Sequence, residues 1–386
     1  MASSTPRRPR RPSSFRVAIA LPHSIPFLER FLVGVAGHAR AANWTFIRMP
    51  DRMDASLDWL KDWDGDGVLA AIESPRDEAL AVQLPMPVVS ILAYQDRGRL
   101  PLVTMDHHAV GVLAARHLRE RSFTNLAFYG IAGRLYNDQR KAGFIAALAE
   151  EGLIPALLEA QATTPRAWMA HQRRLDRWVA QLPTPVGVFA STDERAVEIL
   201  EICRRIGRRV PEDLAVLGVD DDPVLCEFAQ PPLTSIARND VGAGKAAAIL
   251  LQRLMEERLR GITSPIPEPI RIPPVGIVAR RSTATYAIRH PQVAALVQRM
   301  ESQLRQPVSM EDLMVGLPLA RRRLEALFQE EMGTSPYQFI LRARIRLAQA
   351  MLAQEPRPSR TAVAKACGFT SLRHLRTALG RVAVGA

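Results

Sequence analysis

The sequence predicts an α/β protein of two lobes built on parallel sheets, followed by an all-α domain made of two helix-turn-helix units. Three observations carry that expectation. Between residues 15 and 281, brief apolar runs alternate with amphipathic stretches, as happens when parallel strands are covered on both faces by crossover helices. Residues 307–379 twice repeat a helix, a tight turn and an arginine-loaded second helix, joined by one longer apolar helix. Charge divides the chain in the same way. Residues 287–386 hold 15 Lys and Arg against 7 Asp and Glu, and residues 1–16 add five arginines, so the long middle is close to neutral in a chain of net charge +12. Basic ends of this kind attract phosphates.

A chain of 386 residues with 47% hydrophobic content has room for two or three domains with real cores. Residues 1–14, rich in Pro, Ser and Arg, read as a disordered basic tail. Arg7, Arg8, Arg10 and Arg11 precede the apolar run 17–21, but Pro22 and His23 stop that run too soon for a signal peptide. No apolar run approaches the roughly 20 residues of a membrane helix. Cys203, Cys226 and Cys367 are far apart and form no CxxC pair, so neither a disulfide framework nor a metal site is expected. No cofactor is implied, and a reducing cytoplasm is the expected compartment.

Strand-like runs occur at 17–21, 67–72, 88–92, 126–129, 186–190 and 215–219, and a helix-like run at 27–42 follows the first of them. They are too many for one small sheet. Two lobes facing across a cleft account for them, approximately 15–123 with 240–262, and 124–239 with 263–282. Ligands in such folds sit at the carboxyl ends of the strands, so the polar residues there are the candidates: Asp220 after 216–219, Asp193 after Phe189 and Ala190, His23 after Leu21, and Glu73 after Ile72. Arg140 opens a helix beyond the loop 129–136. A carboxylate and a guanidinium can grip vicinal hydroxyls by charge-assisted bonds while Tyr136 covers the apolar face of a sugar ring. Each has a plainer reading, since a strand-end Asp also serves as a helix N-cap.

Gly242, Ala243, Gly244 and Lys245 suggest a phosphate loop, yet Asn239 stands where its first glycine belongs and Ala246 replaces the required Ser or Thr. The stretch 241–254 reads as a packed helix. With no HExxH, GxSxG or His-carboxylate cluster, the chain is not expected to be an enzyme.

Beyond a linker at 283–290, residues 291–386 form the basic helical domain. Ser309 is a natural N-cap; the turn falls at Gly316, Leu317 and Pro318; and a second helix begins near Ala320. Leu324, Leu327 and Phe328 make its buried stripe, which turns Arg322, Glu325, Ala326 and Gln329 outward. Arg322 is the candidate for base edges, and Arg321 and Arg323 for phosphates. The second unit begins at Ser359, turns at Gly368, and buries Leu372, Leu375 and Leu379, leaving Arg373, Arg376 and Thr377 facing out. The connecting helix 337–353 is a rod of roughly 25 Å, so two reading helices could meet successive major grooves of B-DNA, one turn of about 34 Å apart.

Leu324, Phe328, Gly333, Ser335 and Pro336, then Arg344, Ile345, Ala348, Met351 and Leu352, then Val363, Ala364, Cys367, Gly368 and Phe369 resemble the AraC-type DNA-binding domain. Ala320 departs from that family's capping Ser, and Leu379 from its Phe. Upstream, Val103 to Asp106, Arg140 to Phe144, Ser191 to Asp193, Val216 to Asp221 and Pro231 to Thr234 resemble the effector domain of the lac and galactose repressors, whose fold is periplasmic-binding-protein-like. The order, effector first and AraC-type domain last, is similar to that of XylR-like regulators, which respond to xylose. The resemblance implies that Arg140 and Asp220 contact sugar hydroxyls. It also implies a bacterial, nucleoid-associated transcriptional activator of sugar catabolism whose partners are double-stranded promoter half-sites, a small sugar, a second copy of the chain and RNA polymerase. Apolar Val112, Leu113 and Leu118 are candidate dimer contacts by analogy. The alternative, a transport sugar-binding protein, would require a secretion signal and has no use for an arginine-lined C-terminus.

Overall fold

The computed structural model describes residues 14–21, 27–48, 57–161, 165–288, 290–352 and 358–383. The chain forms two compact units, Met1–Arg119 with Thr124–Thr285, and Glu120–Phe123 with Tyr286–Ala386. Nearly all of the expected basic tail, and His23, lie outside the described residues.

The first unit opens with β1 (Arg16–Ala20), α1 (Leu28–Ala41), β2 (Thr45–Arg48), β3 (Gly67–Ala71), α2 (Pro75–Val82) and β4 (Val88–Leu92). Its strands form a parallel sheet of order β2-β1-β3-β4. Side chains alternate across a strand, so Val17, Ile19 and Leu69 join one buried cluster with Phe31 and Leu251, while Ala18, Val68 and Ala70 join another with Leu60 and Leu84. Both faces are covered, which is why β1 and β3 read as unbroken apolar runs.

β5 (Val103–Met105) leaves this sheet and leads into α3 (His107–Arg119). There follow β6 (Leu126–Ile131), α4 (Leu135–Ala149), β7 (Ala156–Ala160), α5 (Pro165–Gln181), β8 (Val186–Ala190), α6 (Asp193–Ile206), β9 (Leu214–Asp220), α7 (Pro223–Phe228) and β10 (Thr234–Ala237). The chain returns through α8 (Asp240–Leu259), pairs β11 (Ile270–Ile272) with β5, and ends with β12 (Gly276–Val278) antiparallel to β10. The second sheet has the order β12-β10-β9-β8-β6-β7. The chain thus passes between the lobes at β5, at the β10–α8 junction and at β11.

Two helix pairs pack at backbone distance through glycine. A Cβ on Gly244 of α8 would stand 2.0 Å from the Phe31 carbonyl oxygen of α1. The glycines of the failed phosphate-loop motif therefore include one that serves packing. Likewise a Cβ on Gly111 would stand 2.0 Å from the Arg140 carbonyl oxygen, and one on Gly143 2.1 Å from that of His108. These contacts bind α3 to α4 of the second lobe, whereas the sequence reading placed 107–119 with the first. Leu118 is wholly buried in the core, so it cannot serve a dimer contact; Val112 and Leu113 are half-buried.

The second unit holds α9 (Pro291–Ser302), α10 (Met310–Met314), α11 (Arg321–Met332), α12 (Pro336–Leu352), α13 (Arg360–Ala366) and α14 (Leu372–Ala383). α12 is shared by two cores. Phe339 and Ile340 pack with Leu296, Leu313, Leu324 and Phe328, while Leu341, Ile345 and Ala348 pack with Val363, Phe369 and Leu375. Ser309 and Asp312 form a reciprocal capping box at α10, and Ser359 caps α13, each satisfying amide groups that a helix start leaves open. Arg344 is buried, and its guanidinium donates to the carbonyls of Leu304 at 3.1 Å and Gln306 at 2.5 Å, tying α12 to the end of α9. Among the described residues no helix is long and apolar enough to cross a membrane.

Candidate ligand cleft and nucleic-acid interface

The carboxyl ends of the strands in the first unit bring together an alternating chain of charges. Arg140, on the inner side of α4, is 2% exposed. Its Nη1 donates to the Ser191 carbonyl, its Nε to His107 Nδ1 at 3.3 Å, and its Nη2 lies 3.6 Å from Asp220 Oδ1 and 3.8 Å from Met105 Sδ. Asp220, the last residue of β9, has φ +115° and is followed by Asp221 at φ +49°. Such backbone is costly for a non-glycine residue and collects at sites that use it. Arg238, just after β10, places Nη1 3.6 Å from the same Asp220 oxygen and donates from Nε to Asp240 Oδ1 at 2.7 Å. Arg30 of α1 completes the chain, with Nε 2.9 Å from Asp240 Oδ2 and Nη2 2.8 Å from the Asp220 carbonyl oxygen.

Aromatic rings flank these charges. The Arg140 guanidinium lies 5.1 Å from the centre of the Tyr136 ring, and that of Arg238 lies 3.7 Å from the centre of Phe27. Burial pulls the Arg140 guanidinium below its ordinary range, with the Asp220 carboxylate opposing. Burial likewise raises the Asp220 carboxyl against the pull of Arg140 and Arg238. His107 is held well below its usual range, first by burial and then by those two arginines. It is therefore neutral, and Nδ1 is free to accept from Arg140.

The other expected contacts fall differently. Asp193 is 1% exposed, and its oxygens accept from Ser235 Oγ at 2.6 Å, the Asp222 amide at 2.9 Å and Cys226 Sγ at 3.4 Å. It braces the ends of β9 and β10, while Thr192, not Asp193, caps α6. Burial first and the Asp220 carboxylate second push its carboxyl up to about 7. Glu73 is half-exposed and pairs with Arg134 at 2.6 Å, joining the two lobes at the cleft rim. The sequence reading missed Phe27, Arg30, Arg238 and Asp240. Arg238 and Asp240 follow β10, and the strand-end rule would have found them had Thr234–Ala237 read as a strand.

In the second unit Arg321, Arg322 and Arg323 are all exposed at the start of α11, whose N-cap Ala320 offers no side-chain bond. Arg321 is engaged by Glu311 at 2.6 Å and Glu325 at 2.9 Å, so a phosphate would have to compete with two carboxylates for it. Among the described residues no ion pair holds Arg322 or Arg323. Gln329, Arg373, Arg376 and Thr377 are exposed, Glu325 partly so, and the Thr377 hydroxyl donates to the Arg373 carbonyl at 3.0 Å. Two helices thus present cations outward from a common buried scaffold.

Comparison with known proteins matches these two parts separately. The family described as Periplasmic binding protein-like domain matches residues 115–283, and that described as Helix-turn-helix domain matches 316–383. The chain is 28% identical over 349 residues to the xylose operon regulatory protein of Escherichia coli (strain K12), covering 89% of this chain and 87% of that one. It is 23% identical to the protein so named in Haemophilus influenzae, covering 93% and 94%. A solved structure of a xylose-binding transcription activator, xylR, superposes with a TM-score of 0.62 at 24% identity over 96% of each chain. A LacI family regulator from Enterococcus faecium with bound ribose does so at 0.54 and 22% identity, over 71% of this chain and all of that one. These structural likenesses establish the fold. A periplasmic-binding-protein-like domain followed by a helix-turn-helix domain, together with relatives that are transcription regulators, makes the chain a DNA-binding transcription regulator and not an enzyme. It is XylR-like, homologous to the xylose operon regulatory proteins and alike in domain order.

Proposed function

We propose that a monosaccharide of pentose size binds between the lobes and changes how the helix-turn-helix domain is presented to promoter DNA, activating genes for use of that sugar. Xylose is the first compound to test, because the relatives are xylose operon regulators. One observation carries the reading: the Arg140 guanidinium is nearly solvent-free, yet among the described residues its Nη2 meets only Met105 Sδ at 3.8 Å and Asp220 Oδ1 at 3.6 Å. A donor left so is costly, and a sugar hydroxyl would satisfy it. Asp220 would accept from hydroxyls, and Tyr136 and Phe27 would cover the ring. Glu73 and Arg134 would favour the closed arrangement, and Asp193 would act from behind.

In the DNA complex Arg322 reads base edges with Glu325 and Gln329, while Arg321, Arg323, Arg373, Arg376 and Thr377 hold the backbone or the second groove. The functional bounds are a tail at 1–14, an effector domain at 15–282, a linker at 283–290 and a DNA-binding domain at 291–386. The regulator works as a homodimer on paired half-sites, contacts RNA polymerase and resides in the bacterial cytoplasm at the nucleoid. Ligand acts by shifting a population between two arrangements, so its effect on DNA affinity equals the effect of DNA on its own affinity. A thermal-shift panel of pentoses, hexoses and their acidic and phosphorylated forms tests the cleft. A pentose-sized compound should raise the melting temperature, and a flat response across the panel would sink the reading.

A further inference from the structure

We infer that Arg280 couples the cleft to the segment through which the chain leaves the first unit, by way of the turn that carries Asp220. The inference rests on the cleft being a sugar site. Asp220 and Asp221 are consecutive non-glycine residues at φ +115° and +49°, and backbone held in that region persists only where its surroundings fix it. The bonds that fix it are specific. The Asp221 amide donates to Ser235 Oγ at 3.0 Å, and that hydroxyl donates to Asp193 Oδ1 at 2.6 Å. The Asp222 amide donates to Asp193 Oδ2 at 2.9 Å. The Asp221 carboxylate accepts from Arg280 Nη1, also at 2.9 Å. Asp220 and Asp221 share one stiff peptide plane, so a sugar that draws the Asp220 carboxylate toward its hydroxyls turns Asp221 as well.

Arg280 stands at the way out. It lies just beyond β12 and before the short helical turn Arg281–Thr283, and the first unit ends at Thr285. The backbone there is bonded to the sheet that carries the turn. The Arg280 amide donates to Thr234 Oγ1 at 2.9 Å, and its carbonyl accepts from the same hydroxyl at 3.0 Å. Ser282 Oγ donates to the Val216 carbonyl at 2.6 Å and accepts from the Thr234 amide at 2.8 Å, and Thr283 Oγ1 donates to Thr234 Oγ1 at 2.9 Å. Ser282 and Thr283 are wholly buried. The exit segment is therefore set on β9 and β10, and the Arg280 side chain joins it to the turn at the far end of β9.

The same guanidinium has other partners to fall back on. Its Nε donates to Glu227 Oε1 at 2.7 Å, and Nη1 reaches the Leu233 carbonyl at 3.1 Å. Two arrangements follow: one bonded to Asp221 and Glu227 together, the other to Glu227 and the Leu233 carbonyl with Asp221 released. A pair of discrete states that both sites bias is what coupling requires. Sugar held by Asp220 turns Asp221 away and favours the second state, which frees the exit segment from the turn.

The test measures the coupling itself. Binding of the full chain to a promoter fragment is followed by anisotropy with and without D-xylose, D-ribose or L-arabinose, and binding of the same sugars by calorimetry. In the wild type the sugar that binds should change DNA affinity by about fivefold or more. Arg280→Gln should reduce that factor to within about twofold of one, give without sugar the DNA affinity that the wild type reaches with it, and bind the sugar no more weakly. Asp221→Asn should do the same, because asparagine is tolerated in left-handed backbone and only the charge is lost. Glu227→Gln removes an ion pair from the same arginine on its outer side, where Glu227 is 63% exposed, and should leave the factor within about twofold of wild type. A merely structural role for Arg280 would weaken sugar binding and leave the factor unchanged. Undiminished coupling in Arg280→Gln or Asp221→Asn would overturn the inference, as would an equal loss in Glu227→Gln. If a sugar binds and the wild type's DNA affinity does not respond, the inference fails and the sugar site stands; if no sugar binds, both fall.

Discussion

Replacing Gly368 with alanine strikes the place where the second unit is most tightly closed. Gly368 lies between α13 and α14 at φ +69°, and a methyl group there would stand 2.6 Å from the Leu304 carbonyl oxygen and 2.9 Å from both the Gln306 carbonyl oxygen and Arg344 Nε. The left-handed conformation alone costs a non-glycine residue about 1–2 kcal/mol. The same methyl would push apart the two bonds from Arg344 to Leu304 and Gln306, and bonds from a charged donor are worth roughly 1.5–3 kcal/mol each. Relaxation recovers part of this, so the expected loss is about 3–5 kcal/mol. All five tryptophans, at 44, 59, 63, 168 and 178, lie in the first unit. In urea, tryptophan fluorescence therefore follows the first unit, while circular dichroism also sees the helices of the second. Gly368→Ala should split the two transitions, lower the dichroism midpoint and weaken DNA binding. A loss below about 1 kcal/mol with DNA affinity intact would refute the reasoning.

Other substitutions separate scaffold from reading surface. Phe328 is wholly buried and packs edge-on against Phe339 at 5.6 Å, so Phe328→Ala should cost about 3–5 kcal/mol in the same dichroism assay. In fluorescence anisotropy Arg322→Ala should lose discrimination at particular base pairs, by about 1–3 kcal/mol. Arg323→Ala should weaken all sequences alike and lower the salt slope by about one; identical behaviour of the two variants would erase the distinction between base and phosphate contacts. Asp193 carries a pH signature. Its carboxyl is raised from 3.8 to about 7 in the folded protein, so the fold favours the protonated acid. Its stabilising contribution is complete at low pH, falls as pH rises from about 4 toward 7, and is flat above that. Asp193→Asn should flatten this slope in tryptophan-monitored urea midpoints, and an unaltered slope would contradict the assignment.

What the sequence revealed depended on burial. β1, β3, β4, β6, β8 and β9 were legible because both faces are covered and the runs are apolar nearly throughout, with Ser90 of β4 a lone polar residue between apolar neighbours. β2 was not, since all four of its residues are exposed at the sheet edge. β10 was missed because Thr234 and Ser235, though wholly buried, are polar and bonded to their neighbours. β5, β11 and β12 are three residues each, too short to show a period. The cleft followed the same logic. Arg140 and Asp220 stand near the ends of visible strands, but Arg30 and Asp240 are separated by 210 residues and meet only because α1 and α8 pack through glycine. In the basic domain spacing sufficed for both reading helices, whereas the ion pairs that engage Arg321 depend on how α10 approaches α11.

The most direct test of the whole account is anisotropy of the full chain on promoter fragments across a salt series, with and without the compound that stabilises the cleft. The account predicts site-selective, salt-sensitive binding whose affinity changes when that compound is added. Equal binding to unrelated duplexes, or an affinity the compound leaves untouched, would contradict it.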